Sequence, residues 1–164
     1  MSPQIRVVNT APLIFLAKLN RLELLRQGVE IVYVPTVVLQ ELRSIPDEAT
    51  EAVQVMIGEW LQEKNCTQPG LVTLAEQSVD KGEAEVIALA LELGTHDVVL
   101  DDLDARRFAR RSGLEPIGTL GLLLAAKNHG VIETIRPEIE ALRKAGFHAS
   151  EVLVHAVLVA AREV

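Results

Sequence analysis

"VVNTAPLIFLAK", residues 7–18, passes from two valines through the polar pair Asn9 and Thr10, crosses Pro12, and resumes an apolar pattern. A short β-branched run that hands over to a helical one is a strand followed by a helix. The same handover recurs along the chain. "IRVV" (5–8), "IVYV" (31–34), "DVVL" (97–100) and "EPIG" (115–118) read as strands, brief, apolar and buried on both faces. Helical spacing marks "APLIFLAKLNRLELL" (11–25), "TVVLQEL" (36–42), "DEATEAVQVMIGEWLQEK" (47–64), "KGEAEVIALALELG" (81–94), "DARRFARRSG" (104–113) and "TLGLLLAAKNHG" (119–130). Two more helices follow from Arg136, with Gly146 breaking the first and Ser150 placed to cap the second. "NCTQPG" (65–70) reads as a loop. Alternation of this kind predicts an α/β fold with a central parallel sheet between two helical layers.

Composition narrows the function classes. The chain has 164 residues, of which 49% are hydrophobic, enough for one core, and its length predicts one domain. A formal net charge of −7 argues against strong nonspecific DNA binding and leaves nucleic-acid contacts to local patches or bound metal. The single cysteine, Cys66, excludes an internal disulfide framework and fits a reducing cytoplasm. No leader pattern opens the sequence, and no apolar run approaches the roughly 20 residues of a membrane span, so no membrane association is expected.

In open α/β sheets, ligands bind beyond the carboxyl ends of the strands. Asn9 and Thr10 follow the first strand, and Asp101, Asp102 and Asp104 follow the third, so both groups are expected at one sheet edge. Glu41 shares a helix face with Val37, Val38 and Ile45, and Glu83 one with Val86, Ile87 and Ala90. A carboxylate in an apolar stripe needs a cation or a donor. Each acid also has a plain structural reading: Glu41 as an edge residue reaching solvent, Asp80 and Glu83 as a capping box, Asp102 or Asp104 as a helix cap. Together, Asn9, Glu41, Glu83 and Asp101 or Asp102 offer oxygen donors from four segments, a set suited to Mg²⁺ or Mn²⁺. Beside them "ARRFARR" presents Arg106, Arg107, Arg110 and Arg111, either as a phosphate grip or as a solvated helix face.

In sequence order, "VVNTAPLI", "VPTVVLQEL", "DKGEAEVIALALELG", "VVLDDLDARRFARRSG" and "IGTLGLLLAAKNHGVI" resemble a branch of prokaryotic PIN-domain proteins related to VapC-type toxins. The resemblance implies a three-layer α/β/α PIN-like domain over residues 1–164, with 135–164 as a C-terminal helical extension. It further implies an acidic cluster binding Mg²⁺ or Mn²⁺, cleavage of RNA, a homodimer, and a cognate antitoxin partner. The family's acids fall on Asn9, Glu41, Glu83 and, within "LDD", on Asp102 with Asp101 as the alternative. Thr10, Glu85 and Asp104 stand as supporting residues, Glu85 as a neighbour able to substitute for Glu83. Many relatives carry Asp where this chain has Asn9, which offers a carbonyl oxygen but no charge. Two rivals remain beside a ribonuclease: a catalytically degenerate PIN-like binding module, and a haloacid-dehalogenase-like phosphatase with a nucleophilic aspartate in "DDLD".

Overall fold

A computed structural model describes residues 3–45 and 47–164. Five parallel strands form the sheet: β1 (Ile5–Val8), β2 (Ile31–Val34), β3 (Leu61–Glu63), β4 (Asp97–Val99) and β5 (Glu115–Ile117). Their spatial order is β3-β2-β1-β4-β5, so the direction of chain progression reverses between β1 and β4. Val7 pairs with Tyr33 on one side and Val98 on the other. Helices α1 (Thr10–Lys18), α2 (Thr36–Arg43), α3 (Glu48–Met56), α4 (Pro69–Glu76), α5 (Lys81–Leu93), α6 (Leu103–Arg111), α7 (Thr119–Asn128), α8 (Arg136–Lys144) and α9 (Glu151–Ala160) complete the described part of a three-layer α/β/α fold.

The apolar stripes read from the sequence meet over the sheet. Leu13, Leu16, Leu39, Leu42, Ile87, Leu100 and Leu123 are fully buried, and each such side chain contributes about 1.5–3 kcal/mol through removal from water. Pro12 falls in the first turn of α1, where its missing N–H would have no helical partner anyway. At the amino ends of the central strands, buried Arg6 makes two hydrogen bonds to Asp97 (2.8 and 3.1 Å) and one to the Leu25 carbonyl, tying β1 to β4.

Three of the predicted elements differ from the structure. The helix expected over 11–25 stops at Lys18, because Asn20 adopts a left-handed φ of 57°, and a 3₁₀ turn, Leu22–Arg26, follows. The helix expected over 47–64 ends at Met56. Gly58, at φ 100°, turns the chain, Trp60 enters the core, and "LQE" becomes edge strand β3 beside β2. With one apolar residue in three, β3 carries no strand signal of its own; pairing with β2 makes it. Finally, Pro69 and Gly70, at the end of the predicted loop, open α4, which packs on α5.

Candidate active site

The reversal between β1 and β4 leaves a crevice at their carboxyl ends, where ligands bind in open parallel sheets. Asn9 is the first residue past β1, and its N–H donates to the Val99 carbonyl (3.2 Å), pinning it to the end of β4. It occupies the N-cap position of α1, yet its side chain makes no capping hydrogen bond. Instead Asn9 Oδ1 is buried and has no hydrogen-bond partner among the described residues. An unpaired buried acceptor costs about 1–3 kcal/mol.

Glu41 approaches the same point from α2. Its side chain is exposed rather than sunk in the apolar stripe, and its Oε2 accepts from the Thr10 hydroxyl at 2.8 Å. The donor expected for this carboxylate is therefore Thr10. Gly82, in the first turn of α5, makes room for both groups: a Cβ there would stand 2.8 Å from Glu41 Oε1 and 3.3 Å from Asn9 Oδ1. Glycine inside a helix costs roughly 0.5–1 kcal/mol relative to alanine, and here the cost has a local cause. Gly82→Ala is accordingly expected to leave the melting temperature unchanged or raised while displacing Glu41 and lowering divalent-ion affinity. Calorimetry of the apo and Mn²⁺-loaded variant checks both halves.

Glu83 follows directly. It is 7% exposed and forms the capping box with Asp80: Glu83 N–H donates to Asp80 Oδ1 (2.8 Å), and Asp80 N–H to Glu83 Oε1 (3.1 Å). Burial, joined by the negative charges of Asp80 and Asp102, pushes the Glu83 carboxyl up to about 7, against the stabilising Asp80 N–H. Between its ordinary value of 4.5 and 7 the folded chain binds the extra proton, so this group's contribution to stability falls as pH rises through that window. Glu83→Gln keeps the acceptor needed by the cap and is expected to remove that slope. Melting temperatures from pH 4.5 to 8 give the readout; an unaltered slope contradicts the assignment.

The two aspartates after β4 divide their tasks. Asp101 turns inward: its Oδ1 accepts from the Thr119 N–H and its Oδ2 from the Thr119 hydroxyl, both at 2.7 Å. Thr119, which "GTLG" (118–121) offers as a cap, is instead fully buried at the first position of α7, and Asp101 supplies the cap of that helix from another segment. Burial raises the Asp101 carboxyl, opposed by the Thr119 hydrogen bonds and the Arg106 charge. Asp102 is exposed, caps α6 by accepting from Ala105 N–H (3.0 Å), and acts electrostatically on Glu83.

Of the supporting residues, Thr10 joins Glu41, while Glu85 and Asp104 lie elsewhere. Glu85 lies away from Glu41, where the charges acting on it are those of Lys81 and Glu76. Asp104 is exposed and pairs with Arg107 at 3.7 Å. Arg110 and Arg111 are exposed at the end of α6, and Arg106 folds back beside Asp101. Gly82 and Thr119 were not singled out by sequence for these tasks. A glycine inside a helical run was the available signal for Gly82; "GTLG" (118–121) marks Thr119 as a turn and cap residue, but not as the partner of Asp101.

Among the described residues, no three or more His, Cys, Asp or Glu side chains form a group ready to hold a metal ion. The hard oxygen donors present nevertheless fit a divalent ion in kind, with the unpaired Asn9 Oδ1 and the Glu41 carboxylate both against Gly82.

A five-stranded parallel sheet between helical layers, with acids and an amide at its reversal point, defines the three-layer α/β/α class of the protein. A family model described as PIN domain matches residues 5–163, and the chain belongs to that family. PIN domains generally use divalent metal ions, and membership points to nucleic-acid binding. A search of curated proteins finds no match. No helix among the described residues is long and apolar enough to cross a membrane.

Proposed function

We propose that the protein is a cytoplasmic Mg²⁺- or Mn²⁺-dependent endoribonuclease, acting as the toxin of a toxin-antitoxin pair and working as a homodimer. The observation that carries the nuclease reading is Asn9: an N-cap residue that does not cap, whose buried carbonyl oxygen is unpaired beside Glu41. Asn9 and Glu41 would hold the ion, with Glu83 and Asp102 adding negative charge around it. A divalent ion held there supplies positive charge against the charge that develops on a phosphodiester during hydrolysis. Thr10 fixes one Glu41 oxygen through its hydroxyl, and this sets the carboxylate's orientation. Glu83, titrating near neutrality, can hold or release a proton at the same edge. Exposed Arg107, Arg110 and Arg111 offer contacts to the RNA backbone.

One observation favours a second reading, a PIN-like module that binds without cleaving. The amide at position 9 removes a charge from a site that works by charge, and the described acids form no ready metal group. Cleavage of a labelled single-stranded RNA with Mn²⁺ by the wild type and by Glu41→Gln separates the two. The nuclease reading expects cleavage that falls at least about tenfold in Glu41→Gln, the size of effect typical of lost metal-site support. Wild-type cleavage that Glu41→Gln leaves unchanged would remove Glu41 from the chemistry.

A further inference from the structure

Next to the acids runs a groove of about 740 Å³ that none of the roles above uses. Ala11, Phe15, Leu103, Phe147, Val152 and Leu153 give it apolar walls, and Asp101, Asp102 and Arg106 also line it. Its size falls within the about 300–1,000 Å³ of small-molecule sites. A smaller cavity of about 250 Å³ adjoins it, and Arg106, Phe147 and His148 line both. Aromatic side chains are scarce here, at 3% of residues, yet two of the three phenylalanines, Phe15 and Phe147, meet in this groove edge to face at 5.1 Å. Arg106 is unusual in the same way as Asn9: its Nε is buried without a hydrogen-bond partner among the described residues. Its Nη1 lies 3.4 Å from where a Gly118 Cβ would stand, and Asp101 Oδ1 lies 3.0 Å from that same point, so the guanidinium and the Asp101 carboxylate lie near each other.

We propose that this groove is a nucleobase subsite, which takes one unpaired base of a single-stranded RNA against Phe147 and Arg106 and thereby positions the adjoining phosphate at the acidic crevice. The identity of the ligand rests on the ribonuclease reading; the groove's chemistry does not. A base is uncharged and planar, so it enters an acidic protein without repulsion and finds flat partners in a phenyl ring and a guanidinium. Arg106 lines the groove, and its guanidinium can donate to the ring edge or to the attached phosphate. A folded duplex would keep its bases stacked away from the walls. Recognition of this kind makes cleavage depend on the base beside the scissile bond and on its being unpaired.

The test is fluorescence anisotropy in EDTA, which separates binding from cleavage. The probes are a single-stranded adenylate hexamer, a uridylate hexamer, and a hexamer of abasic ribose-phosphate units. At least one base-bearing strand is expected to bind roughly tenfold or more tightly than the abasic one, the size of a single aromatic–base stack. Phe147→Ala is expected to abolish that difference. Phe147→Leu keeps most of the packing against Phe15 while removing the flat face, and with an unchanged melting temperature it should lose most of the difference as well. Equal affinity for base-bearing and abasic strands in the wild type overturns the proposal. So does a Phe147→Leu variant that keeps the full difference. Base-independent binding with the groove protected from hydrogen exchange only in a self-associated or protein-bound form also overturns it, in favour of a protein occupant. Base-dependent binding without Mn²⁺-dependent cleavage supports the subsite and retires the nuclease reading.

Discussion

Asn9→Asp is expected to raise Mn²⁺ affinity, and with it the rate of RNA cleavage, by about tenfold to a hundredfold, since a unit charge at about 4 Å is worth several kcal/mol before desolvation is subtracted. The Asn9 side chain already lies where a ligand would be wanted. Its oxygen is buried and unpaired, and the Gly82 surface brings it next to Glu41. The substitution changes charge with almost no change in shape. Without metal the new carboxylate would face Glu41, so the apo variant should melt below the wild type near neutral pH and recover on adding Mn²⁺. Both effects share one cause, and calorimetric titration together with melting curves reads them. Unchanged affinity and unchanged apo stability would show that position 9 faces no cation and no carboxylate.

The second large effect concerns stability. Asp101→Ala strands the Thr119 N–H and hydroxyl in a fully buried position, and at about 1–3 kcal/mol for each unsatisfied group the expected loss is roughly 2–6 kcal/mol. Removing the Asp101 charge also removes its electrostatic attraction for Arg106. The neighbouring Asp102→Asn should behave oppositely. It keeps an N-cap acceptor for Ala105, costs a few tenths of a kcal/mol at most, and instead weakens Mn²⁺ binding. Urea denaturation beside metal titration distinguishes the two positions. A stability loss in Asp102→Asn equal to that of Asp101→Ala would mean the inward and outward tasks are assigned the wrong way round.

Local sequence carried more of the fold than of the site. Strands β1, β2, β4 and β5 were readable because each is a short apolar run bounded by turn or cap residues, and α5 because Asp80 opens it and Gly94, at φ 73°, closes it. Edge strand β3 was not readable, since "LQE" owes its conformation to hydrogen bonding with β2. The same distinction runs through the crevice. Chain order already put Asn9, Thr10 and Asp101–Asp104 at strand ends, which is a one-dimensional fact.

What the sequence by itself determined is the parallel α/β architecture and the edge of the sheet where polar residues collect, because hydrophobic periodicity and strand-end position are local properties. What only the tertiary structure decided is how each polar group is used. The Thr10 bond to Glu41, the room left by Gly82, the withdrawal of Asp101 to Thr119 and the unpaired atoms of Asn9 and Arg106 all depend on contacts between segments far apart in the chain. Whether a buried oxygen is a cap, a structural tie or a free ligand depends on which donor reaches it, and that is set by packing in three dimensions.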